Sequence, residues 1–152
     1  MLLEAFGNTR TIMNANATRF SQIFSLDFDH SGLISSASIQ VLMLEKTRVV
    51  RRPDGEPNFN IFYQMLAGLD SRMRKELQLD SLSEPNSFMT PLQRAEDKAS
   101  AAAAFSKISH AAAALNISCH EMKTVWSVLA GIFHLGCAGV TRSNMGRAVF
   151  AR

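Results

Sequence analysis

The chain has 152 residues, of which 47% are hydrophobic and 19% are charged, and its formal net charge is +3. These values are typical of one globular domain with a real core, and they exclude a chain dominated by disorder. The charge is mild and no long basic run accompanies it, which argues against a nucleic-acid binder. We therefore expect no nucleic-acid partner.

The two cysteines, Cys119 and Cys137, lack CxxC spacing, which argues against a zinc site. Each is predicted to be a small buried hydrophobe in a reducing compartment. The longest apolar stretch, about residues 125–135, is too short to cross a bilayer, because a spanning helix needs ~20 residues. We expect no membrane partner and a cytoplasmic location.

The first 22 residues predict a helix end followed by a loop. Residues 2–6 have the pattern of the last turns of a helix, and Gly7 is predicted to cap it in the left-handed conformation. Residues 8–17 include three asparagines and two threonines. Such side chains bond to the backbone of their own segment, so this pattern favours a loop.

An antiparallel hairpin is predicted for about residues 20–45. Phe24, Leu26 and Phe28 alternate with polar residues, which indicates a strand with one buried face. Residues 29–32 are a turn signal, and a second alternating run follows them. That run places four apolar side chains on one face: Ala37, Ile39, Val41 and Met43.

The next stretch, residues 45–52, is charged and mostly basic, and residues 53–55 close it with a turn. Arg48, Arg51 and Arg52 are open to two interpretations. They form either a patch for an acidic partner or a solvated loop.

Residues 59–138 are predicted to be mainly helical. Apolar residues recur at helical spacing over 59–68, Asp70 or Ser71 is a candidate cap for a short helix through Leu77, and residues 79–91 around Pro85 favour a loop. A long alanine-rich helix should begin near Pro91 or Leu92. Its predicted apolar stripe is Phe105, Ile108, Ala112 and Leu115.

A second long helix is predicted to start at Ser118, because Ser118 and Glu121 have the spacing of a capping box. Trp126 and Phe133 are expected in the core. The two long helices should pack as an antiparallel pair. Residues 141–152 are basic and glycine-punctuated, and they are predicted to be a divergent, disordered tail beyond a domain of residues 1–140.

Four ordered motifs carry a resemblance to a known family. They are LEAFGN at 3–8 followed by Asn14-x-Asn16-x-x-Arg19-Phe20, then LEK with Arg48-Val49, then NIFYQ at 60–64, and VLAGI with HLG at 128–136. In this order they resemble the heads of myosins, over about residues 2–138. Ala17-Thr18, Ser21-Gln22 and Arg51-Arg52-Pro53 are similar to class-eighteen unconventional myosins, with a leaning towards the B type.

The resemblance implies a mixed α/β piece of a P-loop NTPase-type motor, in which a hairpin of the central sheet precedes helices of the upper subdomain. It implies that residues 8–22 contain switch I. Asn14, Asn16, Ala17 and Thr18 would contact the nucleotide, and the Thr18 hydroxyl would reach Mg²⁺. Arg19 would be the catalytic arginine that pairs with a glutamate of switch II, a motif that these residues do not contain.

Two departures put hydrolysis in question. Ala17 replaces a serine whose hydroxyl the family uses near the attacking water, and loss of one such group commonly costs ~10²–10³ in rate. The 152 residues also contain no G-x-x-x-x-G-K-[ST] phosphate loop. We expect these residues alone to bind ATP or ADP with Mg²⁺ weakly or not at all.

Three functions stay open at this point. The first is part of an ATP-binding, actin-based motor whose parent dimerises through a coiled coil and lies at the cytoskeleton. The second is a catalytically silent head that binds nucleotide and tethers actin. The third is a non-enzymatic protein-interaction module.

Overall fold

A computed structural model of the protein describes residues 1–80, 86 and 88–150. Strands dominate the first third and helices the remainder, with a short 3-10 turn at Lys46–Val49 between them. The helices are α1 (Leu2–Gly7), α2 (Asn60–Gly68), α3 (Ser71–Glu76), α4 (Ala95–Ala114) and α5 (Cys119–Ala138). The strands are β1 (Asn8–Thr9), β2 (Ala17–Thr18), β3 (Ser21–Phe28), β4 (Ile34–Leu42), β5 (Val140–Arg142) and β6 (Ala148–Phe150).

The predicted hairpin is confirmed, but its predicted buried face is wrong for this chain. Strands β3 and β4 pair antiparallel, with Phe24 opposite Ile39, and the Asp29 carboxylate accepts hydrogen bonds from the turn amides of Ser31 and Leu33. All residues of β4 and all but the first of β3 are exposed. No other element of the described chain covers either face, so the apolar alternation has nothing here to pack against.

The core lies among α2, α4 and α5. Met65 and Phe133 are completely buried, and Ile108 of α4 is 1% exposed. The Phe88 ring meets the edge of Phe62 at 4.8 Å and that of Phe133 at 5.5 Å between ring centroids. Burial of Trp126 and Phe133 confirms their predicted place in the core.

The predicted antiparallel pairing of the two long helices is not the main packing. The backbone of α4 lies along α2, where a Cβ added to Gly68 would stand 2.3 Å from the Phe105 Cβ. Helix α5 reaches α4 through side chains, with the rings of Phe105 and Trp126 4.9 Å apart. Leu115 follows the last turn of α4 and is 64% exposed, so the predicted stripe ends at Ala112.

Helix starts follow the sequence signals in two cases out of three. The Asp70 carboxylate accepts from the Met73 amide at 2.7 Å, and Ser118 with Glu121 forms the predicted capping box. Helix α4 begins at Ala95, later than predicted, and no side-chain hydrogen bond caps its start at Arg94. Pro85 and Ser87, at the centre of the predicted 79–91 loop, lie outside the described residues.

The tail prediction is wrong for the described part of residues 141–152. Strands β5 and β6 pair antiparallel, with Thr141 opposite Val149. The turn between them is closed by a hydrogen bond from the Gly146 amide to the Ser143 carbonyl, and Gly146 has a φ of 73°. Glycine adopts a positive φ readily and is common in turns that need one, so Gly146 was a turn signal already present in the sequence.

Candidate functional site

The 8–22 segment is a loop whose two ends are tied together by backbone pairing. β1 and β2 form a two-residue antiparallel ladder, with Asn8 opposite Thr18 and Thr9 opposite Ala17. Thr9 is fully buried, and its hydroxyl donates to the Asn58 carbonyl at 2.8 Å. The loop is therefore anchored to the chain that leads into α2.

Two asparagines organise the loop in different ways. The Asn14 carboxamide oxygen accepts from the Asn16 amide at 2.9 Å, which is an Asx turn of the kind that polar loops use. The Asn16 carboxamide points back to the protein: it donates to Glu4 Oε1 at 2.7 Å and accepts from Asn60 Nδ2 at 3.3 Å. Both side chains are exposed, but Asn16 fastens the loop to α1 and α2, whereas the Asn14 side chain bonds within the loop.

Ala17 and Thr18 make up β2 and differ in what they offer to a ligand. Thr18 is exposed, and within the described part of the chain its hydroxyl has no hydrogen-bond partner. Ala17 is half-buried and brings no polar side-chain atom. The loop thus presents one free hydroxyl at the Thr18 position and none at the position before it.

Arg19 has a partner that the sequence did not indicate. Its Nε donates to Glu45 Oε2 at 2.5 Å, and the backbone joins the same two residues, since the Glu45 amide donates to the Arg19 carbonyl at 2.9 Å. The Arg19 amide donates to the Gly7 carbonyl at 2.9 Å. Arg19 is therefore held between the end of α1 and the end of the hairpin.

Gly7 is predicted to cap α1 in a left-handed conformation, and that prediction is wrong. The helix includes Gly7, and the residue is buried. A Cβ at this position would stand 2.2 Å from Cε1 of the Phe20 ring. The glycine is needed for this close approach of Phe20, not for a positive φ.

Arg48 is neither a surface patch nor a solvated residue. It is 1% exposed, and its guanidinium donates to Glu45 Oε2 at 3.1 Å and to Glu56 Oε2 at 2.8 Å. A buried cation needs such partners, because desolvation without them is very costly. Arg51 is exposed, and Arg52 Nε donates to the Glu56 carbonyl at 3.1 Å.

These ion pairs lower the pKa of both carboxylates, Glu45 and Glu56. Partial burial alone would raise the pKa of Glu45, but hydrogen bonds from Arg19 and Arg48 outweigh it and hold that pKa below its usual value. The Arg48 guanidinium, opposed by partial burial and aided by the Ile12 amide, likewise lowers the pKa of Glu56. Both groups are therefore carboxylates at neutral pH.

The five predicted site residues lie together in one segment but face different surroundings. Asn14, Asn16 and Thr18 are exposed and Ala17 and Arg19 are half-buried, but in the described part of the chain only Asn16 and Arg19 bond to side chains outside the segment. Sequence reasoning missed the residues that hold them, and the Glu45-x-x-Arg48 spacing was the one available signal for a local ion pair. The missed residues are Glu4, Glu45, Arg48, Glu56 and Asn60.

A groove of about 1140 Å³ lies beside the segment, and it does not coincide with the predicted site. Arg10, Thr11, Ile12 and Ala15 form one side of it, and residues 50–57, Thr90, Leu92 and parts of α2 and α4 form the rest. Asn14, Thr18 and Arg19 are not among its lining residues. The exposed polar groups of Asn14 and Thr18 therefore lie outside this groove.

The family to which these motifs belong is decided by comparison with known proteins. A family model described as "Myosin head (motor domain)" matches residues 1–151. The chain belongs to the myosin head family. The matched range includes the 140–150 hairpin.

The relatives confirm the class-eighteen assignment. The chain is 54% identical to mouse unconventional myosin-XVIIIa and 47% identical to human unconventional myosin-XVIIIb, in each case over 99% of its own length. These identities do not favour the B type. Identity to Drosophila unconventional myosin IC is 36%, also over 99% of this chain. The chain spans 8%, 6% and 15% of these three relatives.

Membership of this family agrees with the mixed helices and antiparallel strand pairs of the fold, as the sequence predicted. Among the described residues, none of the helices is long and apolar enough to span a membrane. The predicted burial of the cysteines fails for Cys119, which is exposed, while Cys137 is half-buried. Residues 1–80, 86 and 88–150 contain no group of three or more His, Cys, Asp or Glu side chains that could hold a metal ion.

Proposed function

We propose that the 8–22 segment is switch I of an ATP-binding, actin-based motor of the cytoskeleton, and that this chain is the part of the motor that carries it. The observation that supports this best is the contrast within the loop. Its ends are fastened by the β1–β2 ladder and by Arg19, while Asn14 and Thr18 leave polar groups free towards solvent. A fixed loop with free hydrogen-bonding groups suits recognition of phosphate oxygens.

The fit to Mg²⁺ rests on Thr18. Magnesium keeps most of its waters and phosphate ligands and takes only one or two ligands from a protein, so a single free hydroxyl is compatible with it. In this proposal Thr18 binds the ion, Asn14 orients the phosphates, and the remaining protein ligands come from the rest of the motor chain. The bound ion would neutralise charge that develops on the phosphate oxygens.

Ala17 favours a second candidate, a head that binds nucleotide and actin with little hydrolysis. A hydroxyl at this position would lie next to Thr18, where a water could be held for attack, and the alanine methyl cannot hold one. We propose that turnover by the parent is slow for this reason. The parent would then act mainly as a nucleotide-gated actin tether, paired through a coiled coil.

Several exposed side chains support a place for this chain within a larger motor. Phe24, Phe28 and Leu33 of the hairpin are 59%, 60% and 67% exposed. Apolar surface of this extent on a two-strand hairpin is costly in water and needs further cover. We propose that the rest of the motor chain supplies it.

The experiment is single-turnover ATP hydrolysis by the intact parent head, with and without actin filaments. We expect the native head to bind ATP tightly and to hydrolyse it slowly. The hydrolysis rate should increase at least about tenfold in Ala17→Ser, since one restored polar group at a reacting centre has effects of this order or larger. Ala15→Ser is the matched control, because Ala15 is an exposed alanine of the same loop.

Each outcome decides between the candidates. Fast hydrolysis in the native head, accelerated by actin, would support the motor and overturn the tether. Slow hydrolysis that Ala17→Ser accelerates, with Ala15→Ser unchanged, would support the tether. Failure of the native head to bind ATP at all would overturn both.

A further inference from the structure

We infer that buried Arg48 fixes both ends of the 8–22 segment at once, through Glu45 at one end and Glu56 at the other, and so acts as a positioning residue for nucleotide recognition. This inference rests on the proposed function for its last step. Its geometric part concerns four charged side chains and the backbone groups that they or their neighbours bind. Nothing in the sequence placed Glu56 or Arg48 near the loop.

The first connection runs to the C-terminal side of the loop. Arg48 Nε donates to Glu45 Oε2 at 3.1 Å, and the same oxygen accepts from Arg19 Nε at 2.5 Å. The Glu45 amide also donates to the Arg19 carbonyl. Glu45 therefore binds Arg19 through its side chain and its backbone, and Arg48 fixes the Glu45 carboxylate.

The second connection runs to the N-terminal side of the loop. Arg48 Nη2 donates to Glu56 Oε2 at 2.8 Å, and the other oxygen of that carboxylate accepts from the Ile12 amide at 3.3 Å. Glu56 thus divides its two oxygens between the buried arginine and the backbone of the loop. Its side chain is 10% exposed, against 2% for Arg48.

A third contact fixes the orientation of the guanidinium plane. Arg48 Nη1 donates to the Pro57 carbonyl at 3.4 Å, and that oxygen lies 3.2 Å from the Thr9 hydroxyl, which donates to the neighbouring Asn58 carbonyl at 2.8 Å. Three nitrogens of one planar group therefore meet three acceptors in different directions. A lysine has a single charged nitrogen and cannot reproduce this fork.

The charges of the cluster balance. Two guanidinium groups, Arg19 and Arg48, face two carboxylates, Glu45 and Glu56, so removal of any one member leaves an uncompensated charge that is partly or fully buried. Such a cluster has one favoured arrangement. That arrangement determines the position of the loop between Ile12 and Arg19, which includes Asn14 and Thr18.

The first arm of the test is hydrogen exchange in the intact parent head, measured at the amides of Ile12 and Glu45. Glu56→Gln should speed exchange at Ile12 about tenfold, as expected when a hydrogen bond to a charged group is weakened, and leave the Glu45 amide nearly unchanged. Glu45→Gln should have the reverse pattern. Arg48→Lys should speed exchange at both amides, because it releases both carboxylates.

The control is Arg51→Lys, the same substitution at an exposed arginine nearby. It should change neither amide. Equal loss of protection throughout the head in Glu56→Gln and Glu45→Gln, or no change at either amide in Arg48→Lys, would overturn the inference. The two glutamine variants keep the test decisive if Arg48→Lys fails to fold.

The second arm is binding of MgADP by the same variants. If the loop is switch I, Arg48→Lys should weaken MgADP binding at least about tenfold, whereas Arg51→Lys should leave it unchanged. End-specific exchange together with no MgADP binding by the native head would support the geometric role and overturn the proposed function. Normal MgADP binding by the native head, with unchanged hydrogen exchange in the variants, would support the proposed function and overturn the geometric role of Arg48.

Discussion

The helical core and the 8–22 segment are held in place by different forces, although they contact each other. The core is apolar and aromatic: Phe62, Phe88 and Phe133 meet edge to face, and Met65 is fully buried beside them. The segment is fixed by hydrogen bonds and by the Arg19–Glu45–Arg48–Glu56 cluster. A loop held by a few directional bonds can be released without melting the domain, which is what a nucleotide-responsive element requires.

The largest effect should come from the core. Phe133→Ala removes a completely buried ring and should reduce the free energy of unfolding by about 3–5 kcal/mol. Because the segment is anchored on α2, it should lose protection together with the core. Denaturant unfolding of the parent head, read by fluorescence of Trp126, measures the change, and Val128→Ala on the exposed side of α5 is the control.

Alanine substitutions at two glycines should have intermediate effects on stability, one in each region. Gly7→Ala drives a Cβ into the Phe20 ring and should destabilise by about 1–3 kcal/mol, with the loss concentrated at the Arg19 end of the segment. Gly131→Ala lies on α5, where a Cβ meets nothing within 4 Å, and should stabilise by up to about 1 kcal/mol. Equal effects of the two changes on the thermal midpoint would contradict this difference.

Acid should act on the segment through small, pH-dependent changes. Both Glu45 and Glu56 have a pKa lowered from 4.5 in the folded protein, so their contribution to stability is complete above about that pH. It is lost as the pH falls through the lowered values. Hydrogen exchange between pH 6 and pH 3 should show the Ile12 and Glu45 amides losing protection before α5 does.

The double change Glu45→Gln and Glu56→Gln provides the check on that pH dependence. In this variant the segment should already be loosely protected at pH 6, and acid should have little further effect on it. A segment in the native head that stays as protected as α5 down to pH 3 would show that the ion cluster contributes little.

Sequence reasoning was most successful where the signal was local or came from ordered motifs. The capping box at Ser118, the cap at Asp70 and the β3–β4 hairpin depend on spacings of a few residues, and the structure contains all three. The four motifs identified the family over nearly the whole chain. These features need no knowledge of distant partners.

It failed where distant residues decide the outcome. Arg48 stands in a basic run that is typical of surface, and only its encounter with Glu56 makes burial tolerable. In α4 the alanines give similar faces around the helix, so the sequence could not tell whether α2 or α5 would cover Ile108. The exposed hairpin shows the same limit, since alternation predicts a face that can be buried but not what will bury it.

The most direct test of the central claim is equilibrium binding of a fluorescent ADP analogue to the intact parent head, with Mg²⁺ and with EDTA. Thr18→Val keeps the shape and removes the hydroxyl, and Thr18→Ser keeps the hydroxyl. We predict Mg²⁺-dependent binding by the native head and by Thr18→Ser. With Mg²⁺, the affinity of Thr18→Val should be at least about tenfold lower, and in EDTA this difference between the heads should disappear. Binding that is identical in all three heads, or absent from the native one, would contradict the assignment of residues 8–22 as a nucleotide switch.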